Sequence, residues 1–108
     1  MNITEFLEAR ITEDEAYAAQ AQGESYGWID NWRAETMQGT RTESVIYAHA
    51  FRFSPDRLLA ECAAKRAIIA RREDALDTYA GTLVIEDAIR ALAAIYKDHP
   101  DYREEWTA

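Results

Sequence analysis

The side chains of this 108-residue chain that could do chemistry are few and scattered. Two histidines (His49 and His99), the single cysteine Cys62 and the carboxylates are the only candidate metal ligands. Protein zinc sites need ligands at short fixed spacings, and no H-E-x-x-H, H-x-x-E-H or paired C-x-x-C occurs. In Glu13-Asp14-Glu15 consecutive helical residues point about 100° apart, so the three carboxylates fan out instead of gripping one ion. Cys62 falls in phase with Leu58, Leu59 and Ile69, a core position where burial suppresses the reactive thiolate. Ser25 and Ser44 have no histidine at a patterned distance, the four glycines build no phosphate loop, and Asp98 and Asp101 lie on a terminal turn. No catalytic constellation, metal site or cofactor site is expected.

Binding chemistry is better represented. Lys65, Arg66, Arg71 and Arg72 form the only basic concentration, and pairing with the acidic first helix or with Glu61, Glu73 and Asp74 accounts for it. The net charge of −8 repels phosphate backbones and anionic lipid, so neither nucleic acid nor membrane is an expected partner. The acids concentrate at the two ends: residues 1–24 hold six against one base, and residues 82–108 hold six against three. Three tryptophans and six tyrosines are more aromatics than one modest core requires, and aromatics are enriched at contact surfaces. Tyr26, Trp28 and Trp32 are the candidate partner-binding residues.

The elements that must position these groups are mainly helical. Asn2 or Thr4 caps a first helix over about 3–22, with Ile3, Phe6, Leu7, Ile11, Ala18 and Ala21 on one stripe and Gly23 as its stop. From Gly27 the period changes to alternation, predicting a β-hairpin over about 27–47 with its turn at Gln38-Gly39-Thr40-Arg41. The return segment is ambiguous, because Ser44 could equally cap a short helix running to Arg52. Ser54, Pro55 and Asp56 open a second helix over about 55–79, buried through Leu58, Leu59, Cys62, Ile69 and Leu76, with Gly81 ending it or its loop. Removal of the Ser54 hydroxyl is expected to cost about 1 kcal/mol. A third helix over about 83–97 presents Val84, Ile85, Ala88, Ile89, Leu92, Ile95 and Tyr96 as one broad apolar face.

The tail, His-Pro-Asp-Tyr-Arg-Glu-Glu-Trp at 99–106, is too aromatic for a frayed end. Pro100 is expected to begin a short helical turn that sets Tyr102 and Trp106 on one face, four residues apart. Each ring gains roughly 2–3 kcal/mol if buried, more than a short terminus loses on ordering. Pro100, Tyr102 and Trp106 thus read as a structural clasp against the last two long helices.

Three blocks carry a family resemblance: Phe-Leu-Glu-Ala-Arg-Ile-Thr-Glu-Asp-Glu at 6–15, the stretch from His49 to Ile69, and the stretch from Tyr96 to Trp106. They resemble the small actinobacterial and actinophage proteins catalogued as domain of unknown function 6221, whose members end in His-Pro-x-Tyr-Arg-Glu-Glu-Trp. The chain departs in its middle block, with Phe53 in place of a second histidine, Ser54 in place of aspartate and Ala63 in place of glutamate. If that histidine and aspartate serve a site in relatives, this chain has lost it. The resemblance implies an actinobacterial or phage origin and assigns no activity.

The reading is a single mainly α (α+β) domain over 1–108: three helices, a hairpin between the first two, and the C-terminal clasp. With no signal peptide and no apolar run that spans a membrane, a cytoplasmic location is expected. The function expected is non-catalytic protein binding. The alternative is an acidic nucleic-acid mimic that blocks a DNA-binding protein, with a hydrolase a more distant third. Self-association is compatible with this size, but no heptad seam or strand edge specifies it.

Overall fold

The computed structural model describes the backbone of residues 1–36 and 41–107, and the side chains among them outside 23–44 and 47. The elements are α1 (Ile3–Thr36), α2 (Arg41–Arg52), α3 (Pro55–Ala70), the single turn α4 (Arg72–Ala75) and α5 (Tyr79–Ala93), with 3-10 turns at Ala94–Tyr96 and Glu104–Trp106. The fold is mainly α, and no strand occurs among the described residues.

The expected hairpin is therefore corrected. Its backbone is helical at 27–36 and 41–47, while Gln38, Gly39 and Thr40 of the expected turn lie outside the described residues. Alternation misleads here because every second step of a period-2 pattern is also an i, i+4 pair. Trp28, Trp32 and Thr36 satisfy both, and the helix-capable Arg33, Ala34 and Glu35 tip the balance. α1 likewise runs through Gly23, which a helix interior tolerates at about 1 kcal/mol relative to alanine. In the return segment a helix to Arg52 is adopted, as α2, but it starts at Arg41 and runs through Ser44 instead of being capped there.

The chain divides into two compact units. The first comprises Met1–Glu13 and Cys62–Ala108. Its α1 end opens on a reciprocal capping box: the Glu5 N–H donates to Asn2 Oδ1 at 2.8 Å and the Asn2 N–H to Glu5 Oε1 at 3.2 Å. Phe6, Leu7, Ile11, Cys62, Ile89 and Ala93 are fully buried, with Ile85 and Trp106 nearly so. The second unit, Asp14–Glu61, holds the rest of α1, α2 and the start of α3. In it Ala18 and Ser54 are buried, and Gln22 of α1 donates to the Asp56 carboxylate of α3.

Between 70 and 80 the predicted boundaries fail. α3 stops at Ala70, and Leu76, expected in the core, is exposed. The chain turns through α4 into α5, which starts at Tyr79 and not at 83 because Thr78 caps it, its hydroxyl accepting from the Gly81 N–H at 2.9 Å. Gly81 is thus not a stop but a position of close approach. A Cβ there would meet the Ala75 carbonyl oxygen and lie 2.6 Å from Thr78 Oγ1. Arg72 of α4 reaches Glu86 of α5 at 3.0 Å across this corner.

Candidate functional site

α2 ends beside Pro55, which disfavours a helical backbone at Ser54, and the chain turns there into α3. At this end Val45, His49 and Phe53 stand four residues apart and so project on one side. Val45 is 61 % exposed, Phe53 52 %, and the neighbouring Ile46 55 %. The His49 and Phe53 rings lie 4.8 Å apart, and the Arg57 guanidinium sits 4.5 Å from the Phe53 centroid. Arg57 is held in place by Glu61 at 3.1 Å and the Arg52 carbonyl at 3.3 Å. Val45, Ala48, His49, Phe51, Arg52 and Phe53 line an open groove of about 700 Å³. Its chemistry is that of apolar contact with a cationic edge.

This surface includes Phe53, a position at which the chain departs from the pattern it resembles, while the neighbouring Ser54 is buried. The apolar ring at 53 cannot ligate, so His49 has no imidazole partner one helical turn away. Among the described residues no group of three His, Cys, Asp or Glu is placed to hold a metal ion, and no helix is long and apolar enough to cross a membrane.

Tyr26, Trp28 and Trp32 lie on α1, and their side chains fall outside the described residues. The tail residues are well defined. Trp106, 8 % exposed, packs with Phe6 of α1 and Ala93 of α5, and Ile3, Tyr96 and Tyr102 close around them. The clasp thus seats on α1 and α5, which corrects the expected placement on the last two long helices. Pro100 opens a β-turn and not a helical one: the Tyr102 N–H donates to the His99 carbonyl at 3.0 Å, and the Asp101 N–H to His99 Nδ1 at 3.0 Å. Arg103 is extended, and only Glu104–Trp106 is helical. The Phe6 ring is the hub, 5.0 Å from Trp106, 5.9 Å from Tyr102 and 5.7 Å from His99, centroid to centroid.

Two cations complete this cluster: Arg10, which the sequence did not single out, and Lys65, which was expected to pair with acids. Arg10 is buried, its guanidinium 5.4 Å from the Phe6 centroid. One nitrogen contacts His99 Nε2, another pairs with Glu13 at 3.3 Å, and Nε has no hydrogen-bond partner. Lys65 is also buried, donating to the Tyr96 hydroxyl at 3.1 Å. The basic cluster is accordingly dispersed: Arg66 donates to Thr12 at 3.0 Å, and Arg72 pairs with Glu86, not with the acids nearer in sequence. The available signal for Arg10 and Lys65 was their place in the shared blocks, since each lies in one.

Comparison with curated proteins and with solved structures gives no significant match. The blocks at 6–15 and 96–106 and the end of the middle block meet in the Phe6 cluster, and the correspondence with relatives does not stop at these blocks: the chain belongs to the family of unknown function DUF6221, whose model matches residues 1–108.

Proposed function

We propose that this chain is a non-catalytic protein-binding module that acts in the cytoplasm of an actinobacterium or in its infecting phage. The observation that carries the reading is the α2 surface, where Val45 and Phe53 stand more than half exposed on a groove edged by Arg52, with the exposed Ile46 beside Val45 in sequence. Exposed apolar side chains gathered over a concavity are characteristic of interaction sites. The surface suits an apolar segment with an acidic flank, and Tyr26, Trp28 and Trp32 extend the proposal on sequence grounds. The test is capture from an actinobacterial lysate by the tagged full-length chain, alongside V45D/F53D and W28A/W32A variants. The reading expects a reproducible protein retained by the parent and lost by V45D/F53D. Retention by both variants removes these surfaces from consideration.

A second reading, the acidic nucleic-acid mimic, draws on the inward turn of Arg10 and Lys65 while Glu5, Glu8, Glu13, Asp87, Asp98, Asp101, Glu104 and Glu105 remain exposed. Such a mimic binds a DNA-binding protein through charge. Its affinity must fall steeply as salt shortens the screening length from about 10 Å at 0.1 M to about 3 Å at 1 M. Affinity that is level across that range refutes it.

A further inference from the structure

α5 carries two apolar stripes, and the fold uses only one. Ile85, Ile89 and Ala93 turn inward and are buried. Val84, Ala88, Ala91 and Ile95, the last on the 3-10 turn that extends α5, lie about 100° around the helix from them. Val84 is 71 % exposed and Ile95 60 %, Ala91 is exposed and Ala88 half-buried. The sequence alone merged both stripes into one broad face. The seam becomes visible once the core has claimed its own residues.

The seam has two-fold character. Its spacings of four, three and four read the same from either end, and so does its order of bulk: branched, small, small, branched. Isologous pairing requires that residue i meet j while j meets i. With a second α5 laid antiparallel, Val84 faces the second copy's Ile95 and Ala88 faces its Ala91. The two alanines let the helices approach closely at the centre while the branched residues fill the ends. Charge agrees with this register. Asp87 and Arg90 share one flank of the seam and are exposed, their own contact a long 3.7 Å. The two-fold sets Arg90 of one copy beside Asp87 of the other, twice.

We propose that the partner of this face is a second copy of the chain, in an antiparallel α5–α5 dimer. The pairing does not depend on the α2 surface proposed above and goes beyond it. A single helix pair is smaller than a standard interface, so the dimer is weak and concentration-dependent.

The test is sedimentation of the full-length chain from about 5 µM to about 500 µM, a span that covers micromolar dissociation constants. The proposal expects a monomer–dimer equilibrium whose dissociation constant rises at least tenfold in Val84→Glu and in Ala91→Glu. Both positions face water in the single chain, so the variants should keep the parent helical signal. Asp87→Lys and Arg90→Glu should each weaken self-association, while an equimolar mixture of the two forms a heterodimer tighter than either homodimer. A parent that stays monomeric over the whole range overturns the proposal. So does a dimer insensitive to Val84→Glu and Ala91→Glu. Failure of the D87K and R90E chains to prefer each other overturns the antiparallel register.

Discussion

Replacing Trp106 by alanine removes the ring that joins the tail to Phe6 and Ala93 and leaves a cavity beside a side chain with no exposure of its own. Two contributions set the loss. The indole is almost wholly withdrawn from water, roughly 2–3 kcal/mol of transfer free energy. Its tilted contact with Phe6 at 5.0 Å and its edge contact with Tyr102 at 5.5 Å add about 0.5–1.5 kcal/mol for each aromatic pair. The Arg103 guanidinium, 5.7 Å from the Trp106 centroid, returns to water at little cost because it is already exposed. Large-to-small aromatic substitutions in cores cost about 3–5 kcal/mol, and a chain terminus can relax into part of the space, so about 3 kcal/mol is expected. For a domain of about this size 1 kcal/mol moves the midpoint by roughly 4–8 °C, which places the Tm of Trp106→Ala at least about 10 °C below the parent. Thermal melts followed by circular dichroism at 222 nm, with urea melts to fix the free energy, measure it. Deletion of residues 100–108 should cost as much or more, and Trp106→Phe should recover about half. A Trp106→Ala midpoint within about 2 °C of the parent would refute the clasp and make the indole a side chain held in reserve for a partner.

Gly81→Ala should destabilise by about 1–3 kcal/mol in urea melts despite the higher helix propensity of alanine, because the new Cβ meets the Ala75 carbonyl oxygen and Thr78 Oγ1. Thr78→Ala should cost about 1 kcal/mol through loss of the 2.9 Å cap on α5. Ser54→Ala should cost less than Thr78→Ala, since the Ser54 hydroxyl accepts from the Arg57 N–H only at 3.5 Å; equal losses in paired melts would contradict that ranking. Lys65→Met should stay within about 1 kcal/mol of the parent, because the methylene stem supplies most of the packing, whereas Lys65→Glu buries a carboxylate without a cation and should lower stability by more than about 2 kcal/mol.

The sequence was most legible where local chemistry and tertiary packing agree. Asn2 or Thr4 announced the start of α1 as a local cap, which the structure resolves to Asn2 paired with Glu5, and Phe6, Leu7 and Ile11 followed at helical spacing into the core. It was least legible where one pattern served two structures. The alternation after Gly27 contains its own i, i+4 series, so periodicity could not separate strand from helix there. Between 70 and 80 the deciding contact is a backbone carbonyl, that of Ala75 beside Gly81, and no side-chain pattern reports the approach of a carbonyl. The buried and exposed stripes of α5 were merged for a related reason: a helix apolar on more than one side does not declare which stripe the core will take. Of the candidate site, the aromatic tail was legible because Tyr102 and Trp106 are costly to leave in water. Arg10 and Lys65 were not, because long cationic side chains are read as solvated until an aromatic or a hydroxyl is seen to receive them.

The placement of the shared blocks bears on where function is to be sought. Phe6 and Arg10 come from the first block, Lys65 from the second, and Tyr96, His99, Tyr102 and Trp106 from the third, and they touch one another: Phe6 with Trp106, Arg10 with His99, Lys65 with Tyr96. Every one of these contacts lies within the unit formed by Met1–Glu13 and Cys62–Ala108. The strongest marks of the family therefore describe a scaffold whose side chains mostly engage one another, with Arg10 Nε the exception. The exposed apolar residues Val45, Ile46 and Phe53 belong to the other unit, Asp14–Glu61. Phe53 presents there an exposed ring that also receives the Arg57 guanidinium, 4.5 Å from its centroid. A scaffold that fixes one unit and leaves the other to present an altered apolar surface is the arrangement expected when relatives keep a fold and exchange partners. On that argument Phe53→His should leave the melting midpoint nearly unchanged, because the Phe53 side chain is 52 % exposed, while abolishing capture of any protein that binds through α2. A substitution that lowered stability and left capture intact would reverse the assignment, making α2 structural and returning the search for function to the Phe6 cluster.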